Sequence, residues 1–166
     1  EQGRDAGKKA DTLESVDITQ VVQSEISNAR ISYPENRFTL NIDESTKNDP
    51  HLKLHGGELT LQRIITNLLI NACEGNGIQS ANEIKLSITS EGQHVHLCVS
   101  DNGPGFNADQ LSKTIADLKT SKTSGTGLGL YTSQRLIAAN RGKLSYQNCI
   151  EGGAEVCVTL TREQSS

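Results

Sequence analysis

EIKLSITSEGQHVHLCVSDNGPGF, residues 83–106, decides the class of fold. Aliphatic and polar residues alternate through Glu83–Thr89 and again through His94–Ser100, the period of a half-buried strand. Glu91-Gly92 between them is a turn, so the two strands form a hairpin. Upstream, Leu61, Ile64, Ile65, Leu68, Leu69 and Ala72 recur at helical spacing and predict a helix over about Glu58–Glu74, ended near Gly75–Gly77. Downstream, Gly103–Gly127 holds two Gly-rich turns around a polar middle. A helix follows over about Leu128–Asn140, with Gly142 as its stop. Lys143–Gln147 and Glu155–Thr161 then pair around Gly152-Gly153. Before all of these, Asp17 caps a helix over Ile18 to about Ala29, Arg37–Ile42 is a strand, DESTKNDP (43–50) is turn-rich, and His51–Leu54 is a short strand. Strands come as hairpins instead of alternating with helices. That pattern predicts an α+β two-layer sandwich with an antiparallel or mixed sheet, not a doubly wound parallel one.

Composition narrows the function. The 166 residues fit one domain: 1–12 reads as a linker or the end of an upstream helix, 13–162 as the domain, and 163–166 as a tail. Aromatic residues make up 3% and Trp is absent, which leaves no stacking platform for single-stranded nucleic acid. Net charge is −4 with scattered Lys and Arg, so neither nucleic acid nor an anionic membrane is an expected partner. Cys73, Cys98, Cys149 and Cys157 form no CxxC pair and have no finger-like His partners; they are expected as free thiols in a reducing compartment. No apolar run reaches the ~18 residues of a membrane span. The chain has no Met and begins at Glu1, so it is expected to be part of a longer protein.

Three segments carry chemistry. On the 58–74 helix, Arg63, Asn67, Asn71 and Glu74 fall on one polar stripe. One such Asn would read as a solvated face, but two aligned with a Glu can offer oxygens to a cation such as magnesium, which takes few protein ligands. Asp101-Asn102-Gly103-Pro104-Gly105-Phe106 places a carboxylate where the chain leaves a strand, followed by glycines that let backbone approach a ligand; alone it is also an ordinary turn. Gly125-Thr126-Gly127-Leu128-Gly129-Leu130 opens a helix, whose free N–H groups suit phosphate. No GK[ST] follows, so this is not a Walker loop, and it lies outside a parallel strand–turn–helix unit, so it is not a dinucleotide fingerprint. Thr120-Ser121-Lys122 between the last two segments suits a loop that meets phosphate.

Taken in order, these segments resemble the GHKL ATPase superfamily and, within it, the catalytic domain of sensor histidine kinases. NLLINA (67–72) is similar to the N box, DNGPGF (101–106) to the first glycine box, GTGLGL (125–130) to the second, and TSK (120–122) to a variant of the ATP lid. The resemblance covers about residues 16–161. It implies the Bergerat sandwich, a mixed sheet with helices on one face. It also implies ATP and Mg2+ as ligands. Asp101 would accept a hydrogen bond from the adenine amino group, and Gly103 and Gly105 would let backbone pass close to the base. Asn71 would hold magnesium, with Asn67 assisting at the phosphates. Gly125, Thr126, Gly127, Leu128 and Gly129 would surround the phosphates, with Lys122 reaching the γ-phosphoryl group as the catalytic residue.

Departures from the family pattern are specific. Glu74 and Gly75 stand where many relatives have a basic and an aromatic residue. The Phe-rich lid motif is missing, with Leu118 nearest to it. None of His51, His55, His94 and His96 lies in a His-Glu-x-x-x-Pro context; His94 and His96 alternate on a strand as sheet or surface residues. The expected function is therefore transfer of the ATP γ-phosphoryl group to a histidine on a dimerisation domain outside this chain, with a response regulator downstream and a cytoplasmic location. An anti-sigma-factor-type serine kinase and a nucleotide-binding or interaction module without kinase activity are the alternatives.

Overall fold

The computed structural model describes residues 12–74, 81–106, 108 and 126–163, and for 126–129 the backbone alone. The described elements run β1 (Leu13–Asp17), α1 (Ile18–Ser32), β2 (Arg37–Ile42), α2 (Glu44–Asn48), β3 (His51–His55), α3 (Gly57–Glu74), β4 (Glu83–Glu91), β5 (His94–Asp101), α4 (Thr126–Ala139), β6 (Lys143–Asn148) and β7 (Ala154–Thr161). The main sheet has the order β2-β4-β5-β7-β6, and β1-β3 form a separate antiparallel pair. Within the main sheet β2 runs parallel to β4, and every other pairing is antiparallel. The expected α+β sandwich with a mixed sheet is the observed architecture.

Alternation along the strands explains the layering. Ile84, Leu86 and Ile88 of β4, Val95, Leu97 and Val99 of β5, and Val156, Val158 and Leu160 of β7 are buried on one face. The helices cover that face, supplying Ile18, Val22 and Ile26 from α1, Leu61, Ile64, Ile65, Leu68 and Leu69 from α3, and Leu130 and Ile137 from α4. At roughly 1.5–3 kcal/mol for each large aliphatic side chain removed from water, this layer is the main source of stability. The other face carries Lys85, Ser87, His94, His96, Cys98, Glu155, Cys157 and Thr159, exposed or half-exposed. His94 and His96 thus sit as sheet residues, and the His96 Nδ1 lies 3.0 Å from Thr159 Oγ1.

Local chemistry sets the element ends. Asp17 caps α1 as expected, its Oδ1 accepting from Gln20 N–H at 3.0 Å. The helix continues to Ser32, past the expected Ala29. Residues 13–17 form a strand that the sequence reading leaves unassigned; the segment acquires its conformation by pairing with β3, Leu13 opposite His55. A one-turn helix, α2, lies inside the turn-rich 43–50 stretch. Asp43 caps it through Thr46 N–H at 2.9 Å, and Thr46 is buried with its hydroxyl 2.6 Å from Ser90 Oγ. Helix α4 ends with Arg141 at φ 60° and Gly142 N–H donating to Ile137 O at 2.9 Å, so the left-handed residue is Arg141 and Gly142 is the one after it. Asn140 Oδ1 accepts from His55 N–H at 2.7 Å, joining α4 to β3. Arg162 does the same for the small pair: its Nη1 donates to His51 O at 3.2 Å and meets Asp49 Oδ2 at 3.2 Å.

One sequence expectation is overturned. Cys98 and Cys157 are joined as a disulfide, whereas Cys73 and Cys149 are free. The cause is register: β5 and β7 place the two residues directly opposite each other, a pairing across 59 residues that no local spacing reveals. No helix among the described residues is long and apolar enough to cross a membrane.

Candidate functional site

Asp101 is the last residue of β5. Its Oδ1 accepts from Gly103 N–H at 2.8 Å and from Ala154 N–H, at the start of β7, at 3.2 Å. Both donors converge on one oxygen, so the carboxylate is fixed in orientation. Burial pushes the Asp101 pKa above its ordinary value despite the lowering effect of the two N–H donors. A desolvated, oriented carboxylate at the end of a central strand is a strong acceptor for a ligand donor.

The loop after Asp101 is held from two sides. Asn102 Oδ1 accepts from Asn82 and Glu83 N–H at 3.0 and 3.1 Å, pinning the loop to the start of β4. On the other side Asn148, at the end of β6, grips Phe106. Its Oδ1 accepts from Phe106 N–H at 2.7 Å and its Nδ2 donates to Phe106 O at 2.8 Å. Phe106 is buried and meets Tyr146 edge to face, ring centroids 4.8 Å apart. Between these anchors Gly105 has φ +77°, and a Cβ there would lie 2.7 Å from Asn148 Oδ1. Gly153 has φ +90°, and its Cβ would fall 1.8 Å from the Asp101 carbonyl oxygen. Only glycine permits the β6–β7 hairpin to lie this close to Asp101.

Helix α3 supplies the second group. Along the expected polar stripe, Arg63 is exposed, Asn67 half-exposed and Asn71 buried at 7% exposure. The Asn71 Oδ1 has no hydrogen-bond partner among the described residues. A buried carbonyl oxygen without a donor is costly in water-free surroundings and fits an acceptor-seeking cation such as magnesium. Two residues after Asn71, the Cys73 thiol is raised to about 11, chiefly by burial, with the Glu74 and Asp101 charges adding to it against the lowering hydrogen bond of Asn36. Helix α3, which carries Asn71, packs against β5, which ends at Asp101. Glu74, at the departure from the family pattern, accepts from Tyr33 O–H at 3.1 Å.

The backbone of Thr126, Gly127, Leu128 and Gly129 forms the first turn of α4, as the second glycine box requires. Lys122, Gly125, Leu118, Gly75 and the Thr120–Thr123 segment lie outside the described residues. Sequence reasoning did not single out Asn148, Gly153 or Ala154 as parts of the site. The Gly152-Gly153 pair was visible as a turn, but nothing local shows that this turn abuts Asp101.

Three comparisons bear on this geometry. Residues 56–164 match the family described as "Histidine kinase-, DNA gyrase B-, and HSP90-like ATPase". The C4-dicarboxylate transport sensor protein DctB of Pseudomonas aeruginosa is 39% identical over 115 residues, which is 68% of this chain and 19% of that protein. The histidine protein kinase SaeS of Staphylococcus aureus is 31% identical over 106 residues, 60% of this chain and 30% of that protein. The chain thus spans less than a third of the curated relatives it matches. In fold, the ATP-binding domain of PrrB from Mycobacterium tuberculosis superposes with a TM-score of 0.71 at 23% identity, covering 93% of this chain and all of that one. With a family match across more than half its length, this chain belongs to the histidine kinase-, DNA gyrase B- and HSP90-like ATPases.

Proposed function

We propose that the chain is the catalytic domain of a sensor histidine kinase, binding ATP and magnesium and presenting the γ-phosphoryl group to a histidine on a dimerisation domain of the same parent protein. The observation that carries the reading is an oriented, desolvated Asp101 at the end of β5 together with a buried Asn71 oxygen, unpartnered among the described residues, on the helix packed against that strand. The similarity to two sensor kinases supports the choice of kinase over other members of the family.

Each residue has a defined task in this reading. Asp101 would accept from the adenine amino group through its second oxygen, since its Oδ1 is already committed to Gly103 and Ala154. Gly103 and Gly105 keep the loop thin against the base. Asn71 would hold magnesium, which when bound neutralises phosphate charge, and Asn67 lies one turn before it toward the phosphates. The amide groups of Gly125–Gly129 would cradle phosphate, and Lys122 would supply positive charge to the γ-phosphoryl group. Phosphoryl transfer demands mainly positioning and charge neutralisation, so a domain without its own nucleophile is sufficient. A response regulator would receive the phosphoryl group in turn, in the cytoplasm.

Incubation with γ-labelled ATP and the parent's helical domain tests this. Acid-labile label on that domain's histidine is the expected result. Label on serine would favour the anti-sigma-type kinase, and no transfer to an intact partner would favour a binding module.

A further inference from the structure

The helix-free face of the sheet carries one row in strict register: Ser87 of β4, Cys98 of β5, Cys157 of β7 and Ser145 of β6. Both cysteines are half-exposed on this face, flanked in the row by the small hydroxyl residues Ser87 and Ser145. Neither cysteine belongs to the buried core.

The position of the pair along the strands is what matters. Cys98 lies three residues before Asp101, and Cys157 three residues after Ala154. The ladder between β5 and β7 closes at Ser100 opposite Glu155. Past that rung, the strands are joined at the site by the Ala154 N–H to Asp101 Oδ1 bond and by the close approach of Gly153 to the Asp101 backbone. The disulfide is therefore a covalent tie between the two strands whose ends build the carboxylate pocket. It is also the one covalent cross-link among the described residues.

We propose that Cys98 and Cys157 form a thiol–disulfide site, acted on by small thiols and disulfides, that tunes nucleotide affinity through the β5–β7 junction at Asp101. This rests on the nucleotide reading given above. In the oxidised state the tie holds Ala154 against Asp101 and keeps the carboxylate oriented. Reduction by a dithiol breaks the Sγ–Sγ bond, leaves a thiol on each cysteine and converts the dithiol to its own disulfide. The junction is then held by hydrogen bonds and packing alone, and the carboxylate loses part of its preorganisation. Oxidised glutathione reverses the step, becoming two molecules of reduced glutathione as the Sγ–Sγ bond re-forms. Of the remaining thiols, Cys73 is buried and its pKa is raised to about 11, chiefly by burial, while burial followed by Glu155, Asp101 and Glu151 raises that of Cys149. Cys73 lacks the exposure of the cross-strand couple, and neither Cys73 nor Cys149 is disulfide-bonded.

The test is titration calorimetry with Mg-ADP on the whole chain, once oxidised with glutathione disulfide and once reduced with dithiothreitol. Alkylation and mass spectrometry count the thiols in each sample. Reduction should weaken binding at least about fivefold, the lower end of ordinary coupling between sites. By linkage, saturating Mg-ADP should make the disulfide harder to reduce by the same factor. The Cys98→Ser/Cys157→Ser double variant should bind like the reduced chain and ignore dithiothreitol, whereas Cys149→Ser should keep the full response. Equal affinities within twofold overturn the switch and leave nucleotide binding standing. Failure of glutathione disulfide to close the bond overturns it too, as does global unfolding on reduction, which would make the pair a structural staple. Absence of binding in both states overturns the nucleotide reading and the switch with it.

Discussion

Asp101→Asn isolates the function of the carboxylate from its structural duty. Asn is isosteric and keeps an oxygen for the two backbone donors, Gly103 N–H and Ala154 N–H, which contact the same atom at 2.8 and 3.2 Å. Those donors dictate the orientation of the new amide: its oxygen must face them, so its NH2 takes the position of the second carboxylate oxygen. A donor then confronts the adenine amino donor. The whole charge-assisted hydrogen bond is lost, about 1.5–3 kcal/mol, or roughly a 10- to 150-fold rise in Kd. A base with an acceptor at that position should suffer less, so the variant should shift its preference from ATP toward ITP or GTP. Stability should move the other way. Burial raises the Asp101 pKa above 3.8 in the folded state, so the native chain binds its proton more tightly than the unfolded one. Stability is therefore lost as pH rises from about 3.8 through the folded-state pKa. Asn has no charge to desolvate, so the variant should match or exceed the parent in melting temperature at pH 7, with the difference vanishing in acid. Calorimetry with the three nucleotides, and thermal melts from pH 3 to 7.5, read both effects. Affinity within about threefold of the parent, with unchanged base preference, would refute the assignment.

Asn71→Ala should chiefly abolish the magnesium dependence of nucleotide binding, because it removes the unpartnered buried oxygen; a ratio of affinities with and without magnesium equal to the parent's would show that the metal lies elsewhere. Asn148→Ala removes two hydrogen bonds to Phe106, about 2 kcal/mol at ordinary values, and should lower both melting temperature and nucleotide affinity, whereas an unaltered Kd would show that Phe106 is held by Tyr146 alone. Asp43→Ala removes the cap of α2 and the carboxylate that accepts from Ser90 N–H at 3.1 Å, a loss of about 1–2 kcal/mol in urea melts. The side-chain hydrogen bond from Thr46 leads in holding the Asp43 pKa below 3.8, so its contribution is present above that pH and lost as pH falls through the depressed value; a parent-to-variant difference that does not shrink as pH falls below 3.8 contradicts this.

Much of the molecule is written in local pattern. Alternation at 83–100 gave the hairpin, helical spacing at 61–72 gave α3, and Asp17 gave the start of α1, because each depends on residues within a few positions of one another. The three boxes were legible for the same reason: a carboxylate at a strand end and glycines at a helix start are short-range arrangements. Their convergence was expected from resemblance; the structure packs the helix of Asn71 against the strand that ends at Asp101, while Lys122 and the lid segment stay outside the described residues.

What only the tertiary structure decided are contacts between distant segments. Leu13–Asp17 is a strand because β3 lies beside it, not because its own sequence demands one. Asn67 and Asn71 look alike on a helical wheel, yet Asn71 alone is buried, since exposure depends on what packs over the helix and not on its period. Asn148 reads as a polar strand end until the sheet order brings it to Phe106, 42 residues away. Cys98 and Cys157 read as two free thiols until register sets them opposite each other. In each case the deciding term is the pairing of surfaces far apart in the chain, which composition and spacing do not encode, and which becomes fixed only when the core side chains of β5 and β7 choose a single alignment against the helices.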